Sequence, residues 1–187
     1  MTTAAPRPGT GRDDWLDEGL RLVASLGAPA LTLDRICERM ALTKGAFYRH
    51  FGSMPKFRMA LLDWYEQRRT GAVIEAVEAA GSLGPRDRLL RLLDEALKDT
   101  DDAAGPDLEV AIRAWANQDP QAAEMQERVD ARRVGYLREL LAGLGTADPL
   151  RTATVVYVTM IGAAHPVPPL PKQEPRGLYE KVLLPLL

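Results

Sequence analysis

A short segment, Thr43 to Phe51, with the sequence TKGAFYRHF, concentrates side chains that can bind an anion. It holds three aromatic residues, two cations and one of the only two histidines of the chain. A glycine, which helices disfavour, lies among them. Lys, Arg, His and Tyr side chains donate hydrogen bonds to phosphate oxygens or to the edges of bases. The alternative interpretation is a solvated, charged face on an ordinary helix.

The residue types within this segment divide into two groups. The major groove of B-DNA admits one helix, whose N-terminal residues come nearest to the base edges. Gly45 and Ala46 are small enough for such an approach, although glycine costs about 1 kcal/mol against alanine in a helix. Phe47 and Phe51 are four residues apart, so they share one face and can anchor the helix to a support. The hydrogen-bond donors of the segment are Lys44, Tyr48, Arg49 and His50.

Two short helices must position these side chains. Thr32 is a suitable N-cap for a helix over residues 33–40, and Thr43 is a suitable N-cap for a helix over 44–50. Neither is long enough to be stable alone. An apolar stripe at helical spacing predicts a supporting helix that ends at Gly27. This order is typical of a helix-turn-helix.

Helical periodicity continues through the rest of the chain. Ser53 is an N-cap for a long helix that reaches about Ala80, and its apolar face changes side near Gly71, so we expect this helix to serve two cores. The segment VVYVTMI favours a strand by propensity, but no other strand is available to pair with it, and we expect a buried helix. Further helices are predicted over residues 85–98, 108–117, 120–143, 147–164 and 177–184, with loops over 101–106 and 166–175.

Composition narrows the class of protein. The 187 residues can bury one substantial core, and the single Cys37 excludes an internal disulfide and fits a reducing cytoplasm. No apolar run is long enough to span a membrane and no signal sequence is evident, so we expect a cytoplasmic protein. Residues 1–70 hold 11 Lys and Arg against 8 Asp and Glu, whereas residues 71–187 hold 13 against 18. A polyanion would therefore bind the first part.

The sequence offers little for catalysis. Its three serines, Ser25, Ser53 and Ser82, have no histidine near them in sequence. No glycine-rich phosphate loop and no spaced set of metal ligands is present. We therefore predict no enzyme activity, no catalytic residue, no metal and no cofactor.

The segment LTKGAFYRHFGS, preceded by Thr32, Leu33 and Ile36, resembles the DNA-binding signature of the TetR family of bacterial transcriptional regulators. The resemblance covers about residues 12–65, and Ala111 to Leu140 resembles the sixth and seventh helices of many actinobacterial members. It implies an all-α fold: a helix-turn-helix domain over 1–53 and a larger regulatory and dimerisation domain over 54–187, connected by the helix at 54–80.

The resemblance also implies roles for individual residues. Thr32 would contact phosphate and Thr43 would begin the recognition helix. The lysine that usually opens the fourth helix of this family is Met54 here. Lys56 can substitute, although it points about 200° away around the helix. The expected DNA-binding residues are Thr32, Thr43, Lys44, Gly45, Ala46, Tyr48, Arg49, His50 and Lys56.

The larger domain of this family usually holds a small-molecule pocket. Its candidate lining residues, for which core packing is the alternative, are Trp115, Met125, Tyr136, Tyr157 and Met160. We expect Cys37 to be a buried apolar residue and His165 to cap a helix carbonyl. Asp101 and Asp102 are expected to be solvated loop charges.

These residues together predict a homodimeric repressor that a small apolar or amphipathic effector releases from a palindromic, double-stranded operator. The first alternative is a DNA-binding architectural or co-regulatory protein without a ligand. A further alternative is a small-molecule enzyme whose helix-turn-helix is vestigial.

Overall fold

The computed structural model describes residues 11–79, 81, 83–98, 105–168, 170, 174–183 and 185. These residues form helices and turns, with no strand among them, so the all-α prediction is confirmed. The loop charges Asp101 and Asp102, and part of the proline-rich loop, lie outside the described residues.

The first three helices have the predicted helix-turn-helix arrangement. Thr32 Oγ1 accepts a hydrogen bond from the amide of Arg35 (3.4 Å), and Thr43 Oγ1 accepts one from the amide of Ala46 (3.3 Å). Ala41 adopts a left-handed conformation (φ 53°) that ends the second helix. The elements are α1 (Arg12–Leu26), a 3-10 turn (Ala28–Ala30), α2 (Leu33–Met40) and α3 (Lys44–Phe51).

The long fourth helix contains a π-helical turn. Helix α4 (Met54–Glu66) begins after Ser53, whose Oγ accepts from the amide of Lys56 (3.3 Å). It continues through a π-helical segment (Gln67–Gly71) into α5 (Ala72–Glu78). A π-helical turn contains about one residue more than an α-helical turn. The side chains that follow it are therefore rotated by about 100° around the helix axis. The change of apolar face near Gly71 therefore has a backbone cause.

Five helices complete the described chain. Asp119 Oδ1 caps α8 by accepting from the amides of Gln121 (2.9 Å) and Ala122 (3.3 Å), as the Asp-Pro pair predicts. The segment VVYVTMI is helical, as expected. The last helix begins earlier than predicted, with Pro175 in its first turn, where a missing amide costs nothing. The elements are α6 (Pro85–Lys98), α7 (Gly105–Ala116), α8 (Pro120–Gly143), α9 (Pro149–Ala163) and α10 (Glu174–Leu183).

Two apolar clusters hold these helices together. The first joins α1 to α4 with α7 and the first half of α8, so residues such as Ile112 and Val129 share a core with the helix-turn-helix. The second joins α6, the second half of α8, α9 and α10. No helix within the described ranges is sufficiently long and apolar to cross a membrane.

Candidate nucleic-acid interface

One face of α3 is fixed in the first apolar cluster. Phe47 is fully buried and Phe51 is 6% exposed. The Phe47 ring packs edge-on against Trp15 (5.6 Å between centroids) and Phe57 (5.2 Å). Edge-to-face packing restricts the rotation of a helix as well as its position. The opposite face of α3 is therefore held outward.

The outward face carries the predicted donors. Lys44 and Arg49 are exposed, Tyr48 is 49% exposed and His50 is half-buried. Gly45 is also exposed. These side chains form a surface that a polyanion can reach.

Lys44 already has a counter-ion that the sequence did not reveal. Its Nζ lies 2.5 Å from Asp34 Oδ1 of α2, and both side chains are well exposed. The hydrogen bond and the charge of Asp34 raise the pKa of Lys44, which therefore stays protonated. Exposed ion pairs contribute little net stability, so a phosphate can displace Asp34.

Arg12 lies at the other end of α3, where sequence reasoning did not place it. Its guanidinium lies 5.2 Å from the centroid of the Phe51 ring. The His50 ring lies 6.1 Å from Phe51 and 6.5 Å from Trp15. The sequence shows a cation at the first residue of α1, but only the tertiary fold reveals that this cation lies beside α3.

The start of α4 shows how Met54 and Lys56 differ. Met54 is half-buried and packs against the first apolar cluster, so it has an apolar role. Lys56 is exposed, and a Cβ added to Gly52 would lie 4.0 Å from its Cδ. The Lys56 side chain therefore lies beside the turn between α3 and α4.

The five residues suggested for a ligand pocket do not lie together. Trp115 and Met125 belong to the first apolar cluster, whereas Tyr136, Tyr157 and Met160 lie in or against the second. A cavity of about 410 Å³ includes only Tyr157 of the five. It is lined by Arg113, Asp130, Tyr157, Val158, Ile161, Gly162 and His165.

A polar network forms one wall of this cavity. The Tyr157 hydroxyl donates to Asp130 Oδ1 (2.6 Å), and Arg113 donates to both oxygens of Asp130 (2.8 and 3.1 Å). Burial raises the pKa of Asp130, but hydrogen bonds from Arg113, Tyr157 and Gln126 outweigh it and leave the pKa lowered. Burial and Asp130 raise the pKa of Tyr157 to about 12. Both groups thus keep their usual charge at neutral pH.

The same network extends to the π-helical segment. Arg113 Nε donates to Glu109 (2.9 Å), and Arg133 Nη1 donates to Glu109 (3.1 Å). Arg133 also donates to Thr70 Oγ1 (2.9 Å) and to the carbonyl of Arg69 (3.3 Å). A continuous set of hydrogen bonds therefore joins the cavity to the helix that follows the helix-turn-helix. Sequence reasoning missed this network, because its members are scattered over four helices.

Comparison with known families decides the identity of the N-terminal helices. Residues 16–57, which include the helix-turn-helix, match the family model described as bacterial regulatory proteins, tetR family. The N-terminal helices therefore form a DNA-binding domain of the TetR type. Members of the TetR family are DNA-binding transcriptional regulators and not enzymes.

Solved structures show the TetR fold over nearly the whole chain. The reduced form of NemR from E. coli is 20% identical, with a TM-score of 0.76 over 94% of this chain and 97% of that chain. A putative TetR-family regulator from Rhodococcus sp. is also 20% identical, with a TM-score of 0.75 over 94% and 97%. A putative regulator from Saccharomonospora viridis, solved in complex with choline, is 15% identical, with a TM-score of 0.76 over 92% and 95%. A search of curated proteins found no match.

The remaining candidate residues of this protein have structural roles. Cys37 is 7% exposed, and burial raises the pKa of its thiol. His165 Nδ1 lies 2.8 Å from the carbonyl oxygen of Ile161, which is the predicted cap. The described part of the chain contains no group of three His, Cys, Asp or Glu side chains that could hold a metal.

Proposed function

We propose that this TetR-family regulator is a homodimeric repressor that leaves a near-palindromic operator when a small molecule binds. The observation that carries the proposal is the face of α3, where exposed donors surround Gly45 while Phe47 and Phe51 fix the helix from behind. Two such helices in one dimer would enter successive major grooves about 34–36 Å apart.

The proposed DNA contacts follow from the exposed positions. Gly45 and Ala46 would face the bases with Lys44 and Arg49 beside them, while Tyr48 and His50 would bind phosphates. Thr32, Thr43 and Lys56 would contact the backbone around the two helix starts. Phosphate contacts in both half-sites would give affinity a steep dependence on salt.

Helix α9 supports the dimer. Val155 is 54% exposed and Val158 is 61% exposed, and both lie on one side of this helix. Exposed apolar side chains at helical spacing are typical of surfaces that pack against another helix. A second copy of the chain would cover them.

The cavity beside Tyr157 and its network support a ligand response. A ligand that competes for Asp130 would disturb Arg113, then Glu109 and Arg133, and so loosen the π-helical segment. DNA and ligand would be coupled because each prefers one state of that segment, typically by about 1–3 kcal/mol. The Saccharomonospora viridis structure of the same fold was solved with choline, a small organic cation, which is compatible with a small-molecule effector.

One observation favours the ligand-independent alternative. The five residues first suggested for a pocket lie in or against two separate apolar clusters, so they do not line one common cavity. A regulator of this kind would hold the same operator affinity in the presence of any small molecule.

Gel shift and footprinting on the DNA that flanks the gene test the regulator. We expect a protected inverted repeat and binding that weakens steeply as salt rises. The double variant Tyr48→Ala with His50→Ala should bind all DNA about tenfold more weakly, since it loses charge-assisted hydrogen bonds. Arg132→Gln, an exposed change on α8, is the control. Absence of salt-sensitive binding to any genomic fragment would contradict the proposal.

A further inference from the structure

A second cavity lies where the helix-turn-helix meets the larger domain. Its volume is about 240 Å³, below the range of about 300–1,000 Å³ that is usual for drug-sized ligands. One wall comes from the turn after α1, another from α4, and the rest from the end of α7 and the turn before α8. It is lined by Gly27, Ala28, Pro29, Arg58, Ala111, Ala114, Trp115, Gln118 and Asp119.

Arg58 is the unusual residue of this cavity. Its Nε is buried and donates to no atom. Within the described ranges, its one hydrogen bond runs from Nη2 to the carbonyl oxygen of Leu31, at a long 3.4 Å. A buried donor without an acceptor costs free energy, the more so when the group is charged. Arg58, a lining residue of the cavity, therefore has a donor without an acceptor.

The neighbouring carboxylate does not neutralise Arg58 by direct contact. Asp119 also lines the cavity, but its Oδ1 accepts from the amides of Gln121 and Ala122 at the start of α8. Asp119 and Arg58 form no ion pair, although both are described. Burial raises the pKa of Asp119, but the backbone hydrogen bonds at the start of α8 and the charge of Arg58 outweigh it and leave the pKa lowered, so the two charges interact across the cavity. The Nε–H of Arg58 still has no acceptor.

We propose that this cavity binds a small carboxylate, with Arg58 as its counter-ion. A guanidinium matches the two oxygens of a carboxylate through paired hydrogen bonds. Gln118 provides an amide donor on the same wall, and Ala111, Ala114 and Trp115 provide an apolar surface for a short carbon skeleton. The small volume limits that skeleton to a few carbons or one ring.

The position of the site gives the anion a physical role. The turn at Gly27–Pro29 precedes Thr32 and α2, whereas Gln118 and Asp119 lie between α7 and α8. A carboxylate held between them would tie the helix-turn-helix to the larger domain in one relative position. This site is separate from the cavity beside Tyr157, and neither depends on the other.

Isothermal titration calorimetry on the full chain tests the site. The probes are sodium benzoate and sodium butyrate, each beside its neutral amide, benzamide or butyramide. We expect saturable binding of the acids and at least about tenfold weaker binding of the amides. Equal affinity for an acid and its amide, or no saturable binding of either acid, would overturn the proposal.

Two variants locate the site and separate charge from folding. Arg58→Gln removes the counter-ion, and Ala114→Leu fills the cavity while it leaves Arg58 in place. Arg58→Gln should weaken benzoate binding about tenfold or more, which corresponds to the loss of one charge-assisted hydrogen-bonding group. Ala114→Leu should weaken it as well, because the larger side chain occupies the space of the ligand. Ala123→Leu, at an exposed alanine of α8 outside the cavity, should leave it unchanged. Benzoate binding that survives both Arg58→Gln and Ala114→Leu would show that the acid binds elsewhere.

Discussion

At the scale of single residues, Gly45 is not explained by packing within the protein. A Cβ added there would meet only Thr43 Oγ1, at an ordinary 3.7 Å. Glycine nevertheless lowers helix stability by about 0.5–1 kcal/mol against alanine. A molecule outside the chain that approaches the α3 backbone closely would explain why the smaller residue is present.

Gly45→Ala should therefore change stability and DNA binding in opposite directions. We expect the free energy of unfolding to rise by about 0.5–1 kcal/mol, because the helix gains alanine without a clash. Operator affinity should fall, because the new methyl group occupies space needed by the bases. Urea unfolding and a gel shift on the footprinted operator measure the two effects. A variant that is more stable and binds equally well would contradict this role for Gly45.

At the scale of helices, Gly19 of α1 lies at the contact between α1 and α4. A Cβ added to Gly19 would lie 2.9 Å from Phe57 Cζ and 3.0 Å from Leu61 Cδ1, and both side chains are fully buried. Gly135 in α8 is different, since an added Cβ there meets nothing within 4 Å. The two glycines thus form a matched pair, one required by packing and one not.

The pair predicts opposite effects of the same substitution. Gly19→Ala should lower the free energy of unfolding by about 1–2 kcal/mol, because overpacking costs more than the gain in helix propensity. Gly135→Ala should raise it by about 0.5–1 kcal/mol. Thermal or urea unfolding of both variants measures these changes. Stabilisation by Gly19→Ala would show that α1 and α4 can separate without cost.

Helix boundaries were predictable wherever a side chain caps the backbone locally. Thr32, Thr43, Ser53 and Asp119 each precede a helix in sequence and cap it in the structure, because an N-cap acts within three residues. Interactions between helices were not predictable in this way. The Lys44–Asp34 ion pair joins residues ten positions apart on different helices. The partly buried cluster around Glu109 joins α4, the π-helical segment, α7 and α8.

Glu109 is the central acceptor of that cluster. It accepts from the Tyr65 hydroxyl (2.6 Å), from Arg113 and from Arg133. Burial raises the pKa of Glu109, but the charge of Arg133, the hydrogen bond from Tyr65 and the charge of Arg113 outweigh it, so the pKa lies below its ordinary 4.5. A carboxyl whose pKa is lower in the folded state stabilises the protein above its unfolded pKa, and this stabilisation is lost as the pH falls.

Glu109→Gln should therefore be most harmful at neutral pH. We expect a loss of about 3 kcal/mol in the free energy of unfolding at pH 7, since two partly buried guanidinium groups lose their shared carboxylate. The difference from the unmodified protein should shrink as the pH falls below about 4.5, where the unfolded Glu109 becomes protonated. Urea unfolding between pH 3 and pH 7, with the exposed Glu139→Gln as control, measures it. A difference independent of pH would exclude the charge of Glu109 as the cause.

At the scale of the whole molecule, α4 contributes Phe57 and Leu61 to the first core, whereas Val77 of α5 is buried outside both apolar clusters. The described structure adds that the first core is shared, because Ile112 of α7 and Met125 of α8 pack with the helix-turn-helix. A shift of α7 or α8 must therefore reach α1 and α4 directly as well as through the π-helical segment. Sequence periodicity could show which face of a helix is buried, but not which neighbour buries it.

The proposed dimer makes the DNA-binding surface depend on α9. Val158 is 61% exposed on this helix, whereas Val167, 96% exposed, lies beyond it. Val158→Asp should produce a monomer in analytical ultracentrifugation at micromolar concentration, because a buried carboxylate without a partner opposes association. Val167→Asp should leave the dimer intact.

A Val158→Asp monomer has one recognition helix, so it should lose the protection of the second half-site in a footprint. Its DNA affinity should show about half the salt dependence of the dimer. If Val158→Asp remains dimeric with full protection, the two copies associate through another surface, and the proposed dimer through α9 would have to be abandoned.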